Sequence, residues 1–343
     1  MPFRILIVSD AWAPQVNGVV RTLATVSAEL RAMGHTVEVV GPDRFRTVPC
    51  PTYPDIRLAL LPRRRLTRII ADFAPDALHV ATEGPLGMAA RRWALCHDVA
   101  FTTAFHTRFP EYVQARIGFG PALAYRWLRR FHGAGQGMMV ATPSLQRELA
   151  GRGFARLRPW SRGVDLALFH PAARGEGEAF AGLARPVFLA VGRVAVEKNL
   201  PAFLDLDLPG SKVVVGEGPQ LAALRRAYPQ VHFLGARFGA ALAQAYAGAD
   251  AMVFPSRTDT FGLVVLEALA CGTPVAAFPV TGPRDILEAA PVPVGAVDAD
   301  LRTAALRALA ADRAACRAHA ERFSWRACAE GFLQALVPLR PAA

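Results

Sequence analysis

The 343-residue sequence predicts an α/β protein built from two doubly wound parallel-sheet domains, and three observations carry that prediction. Short β-branched runs alternate with segments of helical apolar spacing along the whole chain, the pattern of parallel strands joined by crossover helices. With 52% hydrophobic residues, a chain of this length buries more apolar surface than one core holds. The charge is also divided: residues 1–166 carry 22 arginines against 12 acids, whereas residues 167–343 carry 17 basic against 16 acidic residues. The expected division is 1–166, 167–324, and a last helical segment 325–343.

The first sheet opens with FRILIV (3–8), followed by a loop from Ser9 to Gly18 and a helix that Gly34 stops. Gly18 is a position where a backbone can approach a ligand, or simply the glycine of a βα turn. The loop lacks G-x-G-x-x-G, so nothing marks it as dinucleotide-binding. Further strands are expected at Thr36–Val40, Ala77–Val80, Val99–Ala104 and Gly137–Thr142. Ligands of such sheets bind at the carboxyl ends of strands, which singles out Glu83, His106 and Thr142. Each is equally a polar loop residue.

Ala172–Ala184, rich in Gly, Ala and Glu, reads as a flexible hinge. Val187–Val191 begins the second sheet, and the loop Gly192–Asn199 carries Arg193 and Lys198, the latter one of only two lysines. Asp205-Leu-Asp207 imitates a metal-binding acid pair, but sits in a short alternation of Leu and Asp and is set aside.

The stretch Val253–Phe278 organises the second domain. It reads as a strand to Phe254, a loop Pro255–Thr260, a helix Phe261–Ala270, and a stop at Gly272 and Pro274. Asp259 precedes the helix and Glu267 lies inside it among aliphatic residues, where an ionised carboxylate is costly unless satisfied. Between them the amides of Thr260, Phe261, Gly262 and Leu263 have no intrahelical acceptors and form an anion site. Phosphate-binding amides between two hydroxyl-binding carboxylates match the layout of a nucleotide sugar. The alternative is that Asp259 only caps the helix and Glu267 reaches solvent.

The basic excess concentrates at Arg57, Arg63, Arg64, Arg65 and Arg68, and at Arg116, Arg126, Arg129 and Arg130. Phe119, Leu123, Tyr125, Trp127, Leu128 and Phe131 interleave with the second group. That combination suits an anionic membrane surface, the alternative being a solvated face over a buried stripe. No nucleic-acid motif occurs. No apolar run reaches membrane-spanning length, and the start runs directly into a strand without a cleavable leader, so the expected location is cytoplasmic, peripheral to the inner face of the membrane. Cys50, Cys96, Cys271, Cys316 and Cys328, widely spaced, read as reduced core residues.

The 253–278 stretch resembles the E-x7-E signature of retaining glycosyltransferases of family 4, with Asp259 where most members carry Glu. The variant T-D-T-F-G is similar to the branch of GDP-mannose-dependent mannosyltransferases and sulfoquinovosyl-lipid synthases. Residues 192–199 resemble G-R-x-x-x-E-K-G with Asn199 in place of Gly, and R-G-V-D at 162–165 stands where N-G-V-D is common. The resemblance implies a GT-B architecture of two Rossmann-like domains facing an interdomain cleft, a nucleoside diphosphate sugar as donor, and no metal or other cofactor. It implies that Arg193 and Lys198 neutralise the leaving diphosphate. By the same likeness Glu267 holds the ribose, Asp259 and His106 the sugar, Arg162 faces the donor phosphates, and Gly18 sits by the donor diphosphate or the acceptor. The expected reaction moves mannose or a glucose-type hexose to a membrane lipid. Soluble or polysaccharide acceptors are the alternative, as are a nucleotide-sugar-binding protein without turnover and a sugar-nucleotide epimerase.

Overall fold

Runs such as RILIV and VFLAV become parallel strands buried on both faces, because residues without a polar alternation can only sit between two helical layers. The computed structural model describes residues 2–15, 17–50, 53–108, 111, 121–175 and 179–339. Two units result: Met1–Arg162 with Trp325–Ala343, and Gly163–Ser324.

The first unit contains β1 (Arg4–Val8), β2 (Thr36–Val40), β3 (Thr47–Cys50), β4 (Tyr53–Ala59), β5 (Ala77–Val80), β6 (Thr102–Phe105), β7 (Gly137–Val140) and β8 (Leu157–Pro159). Six of these form a parallel sheet in the order β2-β1-β5-β6-β7-β8. β3 and β4 pair antiparallel in a separate ribbon, which the sequence reading did not anticipate. The strand expected at Val99–Ala104 is shifted to Thr102–Phe105, and that expected at Gly137–Thr142 ends at Val140. Thr142 instead caps the helix Pro143–Gly151, its hydroxyl accepting from the Leu145 amide, so its role is structural.

The helix Trp325–Ala335 belongs to this unit. Its Cys328 carbonyl accepts from Trp160 Nε1 at 3.1 Å, its Ala335 carbonyl from Arg158, and Phe332 packs edge-on to His79. No solvent reaches His79 or Phe332.

The second unit contains β9 (Val187–Val191), β10 (Ser211–Val215), β11 (His232–Phe233), β12 (Ala251–Phe254), β13 (Val275–Ala277) and β14 (Gly295–Val297), in the order β11-β10-β9-β12-β13-β14. All are parallel. Phe188, Val214, Val253 and Ala276 form one core with the helix Leu301–Ala308. The expected hinge at 172–184 is not a free linker where it is described. Ala173 and Phe180 are buried, and Phe180 lies against Gly248 of the helix Gly239–Gly248.

In each sheet the strand order reverses once, between β1 and β5 and between β9 and β12. The loops leaving such neighbouring strands part to opposite faces and open a crevice at the carboxyl ends. All five cysteines are free, but Cys96 is exposed and Cys50 half-buried, so only three are core residues. No described helix is long and apolar enough to cross a membrane.

Phe332→Ala is expected to destabilise the protein by about 3–5 kcal/mol, the usual consequence of emptying a fully buried aromatic site. A urea titration followed by circular dichroism checks this, and an unchanged midpoint would mean that the C-terminal helix contributes nothing to the first unit's core.

Candidate functional site

The crevice between β9 and β12 is closed by a web of loop contacts. The loop after β9 makes a 3-10 turn at Val196–Lys198 and ends on Asn199 in the left-handed region, φ 53° and ψ 36°. That conformation explains Asn where the resembling motif has Gly, since Asn tolerates it best after glycine. Asn199 Nδ2 donates to the Pro255 carbonyl at 3.0 Å, and Ser256 and Thr258 hydroxyls donate to the Glu197 carbonyl. Two loops far apart in sequence are thereby fixed as one surface.

On this surface Lys198 Nζ donates to both oxygens of Asp259, at 2.7 and 2.9 Å. The side chains retain 26% and 17% exposure, enough for either to reach an incoming ligand. The family resemblance implies the lysine at the phosphate and the acid at the sugar as separate elements, whereas here each is the other's counter-ion. Arg193 lies on the same loop with its side chain exposed.

The next helix is Leu263–Ala270, two residues shorter than expected. Gly262 precedes it at φ +87°, a conformation that favours glycine, and the Val265 amide already bonds the Gly262 carbonyl. Thr260 and Phe261 therefore lie ahead of the helix, and the amides left without an intrahelical acceptor at its start are those of Leu263 and Val264. Phe261 is buried, its carbonyl so near Gly282 that an added Cβ there would stand 2.4 Å away. Glu267 is 3% exposed, and Tyr246 Oη donates to its Oε2 at 2.8 Å. This corrects the alternative in which Glu267 reaches solvent, and Tyr246 is a satisfying partner that sequence alone did not show.

The corresponding crevice of the first unit, between β1 and β5, is built on Asp10. Its carboxylate accepts from the amides of Leu86 and Gly87 and from the Thr82 hydroxyl, capping the helix Pro85–Cys96 from another loop. Burial pushes its carboxyl up, against the pull of those donors. A side chain at Gly84 would meet it at 2.5 Å, which is why the loop bearing Glu83 begins its helix with glycine. Glu83 Oε1 lies 3.2 Å from His132 Nε2, and His132 Nδ1 pairs with Thr103 Oγ1 at 2.9 Å. Asp10 follows a strand directly, so the strand-end rule that chose Glu83 and His106 could have found it; His132 sits on a helix and gave no such signal. Gly18 is not a loop residue but the first residue of the helix Gly18–Ala32, capped by Asn17.

His106 leaves β6 and is partly buried, its ring edge-on to Trp160 at 5.6 Å. Arg162 does not turn outward toward a ligand as expected. It is 5% exposed, lies 4.2 Å over the Trp160 ring, and donates to the carbonyls of Trp160 and Ser161 and to His106 Nδ1. Burial pushes its guanidinium down to about 10. His106 is held well below the ordinary histidine range by burial and by the Arg162 charge, with His79 and His132 adding to the effect.

Of the nine arginines assigned to a membrane, Arg116 falls outside the described residues, as does Phe119. Arg63, Arg64, Arg65 and Arg68 are exposed on the helix Arg63–Phe73, next to Leu61, which is 94% exposed. Arg57 differs, being half-buried and bonded to Thr47 across the ribbon. On the helix Pro121–His132, Arg126, Arg129 and Arg130 are exposed with Leu123 and Trp127, while Tyr125, Leu128 and Phe131 are core. Asp205 and Asp207 hydrogen-bond Tyr228 and Arg302 through Asp205 Oδ1 and the Asp207 carbonyl.

The family model "Glycosyltransferase Family 4" matches residues 16–168, and "Glycosyl transferases group 1" matches residues 185–312. The chain is 32% identical over 306 residues to a GDP-mannose-dependent alpha-mannosyltransferase of Mycobacterium tuberculosis (strain CDC 1551 / Oshkosh), covering 83% of this chain and 81% of that one. It is 32% identical over 292 residues to the sulfoquinovosyl transferase SQD2 of Arabidopsis thaliana, covering 75% of this chain and 56% of the relative. In fold it matches the sucrose-phosphate synthase of Thermosynechococcus elongatus with a TM-score of 0.72 at 22% identity, over 96% of this chain and 97% of that one.

Tyr246→Phe removes the hydroxyl that Glu267 accepts from inside the core, and a loss of about 1–3 kcal/mol is expected. Thermal unfolding of the variant checks it, and a melting curve identical to wild type would show that Glu267 draws no stability from Tyr246.

Proposed function

The chain belongs to glycosyltransferase family 4, with the two Rossmann-like domains of the GT-B fold and a nucleotide sugar as donor, and we propose that it transfers mannose or a glucose-type hexose, with retention, to a membrane lipid. The observation that carries the donor assignment is the Lys198–Asp259 pair standing at the strand-order reversal beside the start of the helix Leu263–Ala270. In this reading the diphosphate takes Lys198 together with Arg193 and the amides at the helix start. Cationic groups already in place meet the charge that grows on the leaving group without reorganising. Asp259, released from its lysine, then accepts from sugar hydroxyls. Its shorter reach relative to Glu bears on which hexose fits.

Glu267 is assigned to the ribose; buried, it reaches a hydroxyl only by sharing its carboxylate with Tyr246. His106 is assigned to the transferred sugar. No protein nucleophile is required when the leaving phosphate takes the proton of the incoming hydroxyl on the same face of the sugar, and no metal is required when Arg193 and Lys198 supply the positive charge.

The acceptor reading rests on the surface of the first unit. Arg63, Arg64 and Arg65 occupy the first turn of their helix, where the dipole disfavours cations and no acid offsets them. Exposed Leu60 and Leu61 adjoin them, and exposed Leu123 and Trp127 adjoin Arg126, Arg129 and Arg130. Arginines beside unburied apolar side chains fit anionic headgroups over an acyl boundary, which supports the reading of a protein held at the cytoplasmic leaflet.

A screen of nucleoside diphosphate sugars against membrane lipid extract, read by mass spectrometry, is expected to give one hexosylated lipid, and proton NMR of that product the donor's anomeric configuration. Product on soluble sugars alone would refute the lipid acceptor, and donor conversion without acceptor would indicate an epimerase. In pelleting with anionic liposomes, replacing Arg63, Arg64, Arg65, Arg129 and Arg130 by Ser is expected to release the protein, each arginine contributing about 1 kcal/mol near such a surface. Unchanged partitioning of the fivefold variant would defeat the membrane reading.

A further inference from the structure

We infer that Arg162 is a positioning residue for His106, fixing its imidazole as the neutral tautomer that carries its proton on Nε2, so that His106 serves the sugar as a hydrogen-bond donor and not as a base. The inference rests on the assignment of His106 to the sugar and adds to it the identity of the proton and the residue that sets it.

A guanidinium has only donors, and Arg162 Nη2 stands 3.4 Å from His106 Nδ1. An imidazole nitrogen facing that group can only accept, which leaves the ring proton on Nε2. The guanidinium is held in place independently of the histidine. Nη1 is spent on the carbonyls of Trp160 and Ser161, at 2.7 and 3.0 Å, and Cζ lies over the indole of Trp160. Trp160 is 1% exposed and anchored through its own Nε1 to the Cys328 carbonyl. No ion pair with Arg162 occurs among the described residues, so its charge is not offset by a carboxylate as seen from His106.

The other groups acting on the ring point the same way. His79 and His132 both disfavour a second proton on His106. Glu83, the acid of the neighbouring strand end, is directed at His132. A neutral Nε2–H cannot accept the proton of an acceptor hydroxyl, which therefore leaves with the departing phosphate. Arg162 thus acts on chemistry through the histidine while touching no substrate atom itself.

The test is long-range nitrogen–proton NMR on the full-length protein with 15N-labelled histidine, His106 being identified by the signal lost in His106→Asn. Wild type is expected to show a bare Nδ1 and a protonated Nε2, with no titration of His106 where ordinary histidines titrate. In Arg162→Met the ring is expected to populate both tautomers and to titrate at higher pH. The acid limb of kcat should rise with it, and kcat should lose part of the roughly 10²–10³-fold that one preorganised donor contributes, with the KM for donor little changed. Arg162→Lys, a cation that also only donates, is expected to restore the Nε2–H form, and it serves where the Met variant does not fold. A proton on Nδ1 in wild type, or an unchanged spectrum in Arg162→Met, overturns the inference. Full activity of His106→Asn with the wild-type tautomer as stated would instead overturn only the assignment of His106 to the sugar.

Discussion

The ion pair between Lys198 and Asp259 is the constraint on which the chemistry proposed for the second unit depends. Opposite charges at 2.7 Å, half withdrawn from water, hold the loops after β9 and β12 in one register. A partly buried pair of this kind stabilises little by itself, because desolvation offsets attraction. Its use is that both charges stay in place and remain available. In the proposed reading a dianionic diphosphate competes for the lysine, and the carboxylate so released becomes a hydroxyl acceptor. On that proposal, binding energy of the donor is converted into presentation of Asp259, with the backbone already held by Asn199, Ser256 and Thr258.

The two units solve the same topological problem with opposite electrostatics. At the reversal in the first sheet Asp10 is consumed in capping a helix, and elsewhere in that unit Arg162 is fixed deep against Trp160. At the reversal in the second, lysine and aspartate neutralise each other near the surface. Buried charge in the first unit orients a neighbour; the charges of the second neutralise each other where solvent still reaches them.

Much of the fold was legible because parallel strands buried on both faces are written as unbroken apolar runs, and VFLAV or AMVF admits few other placements. The ribbon β3–β4 was not, since TVPC and YPDIRLA carry prolines that break the expected alternation. In the site, Lys198 and Asp259 were legible as residues but not as a pair, because loop contacts between positions 61 apart leave no local pattern. The helix starts two residues later than expected because Phe261, apolar at a helical spacing, is buried ahead of the helix, with its backbone close against Gly282. Arg162 was misdirected for a related reason. Nothing beside it in sequence shows that Trp160 turns back beneath its guanidinium.

The most direct test of this account is calorimetric affinity for the nucleoside diphosphate alone, in Lys198→Met and in Asp259→Asn. If the pair is a ligand-ready couple, the lysine variant weakens binding at least tenfold, whereas the aspartate variant, whose lysine is freed of its counter-ion, binds as well as wild type or better. Equal weakening in both would show that the pair only scaffolds the loops and would contradict the assignment of Lys198 to the diphosphate.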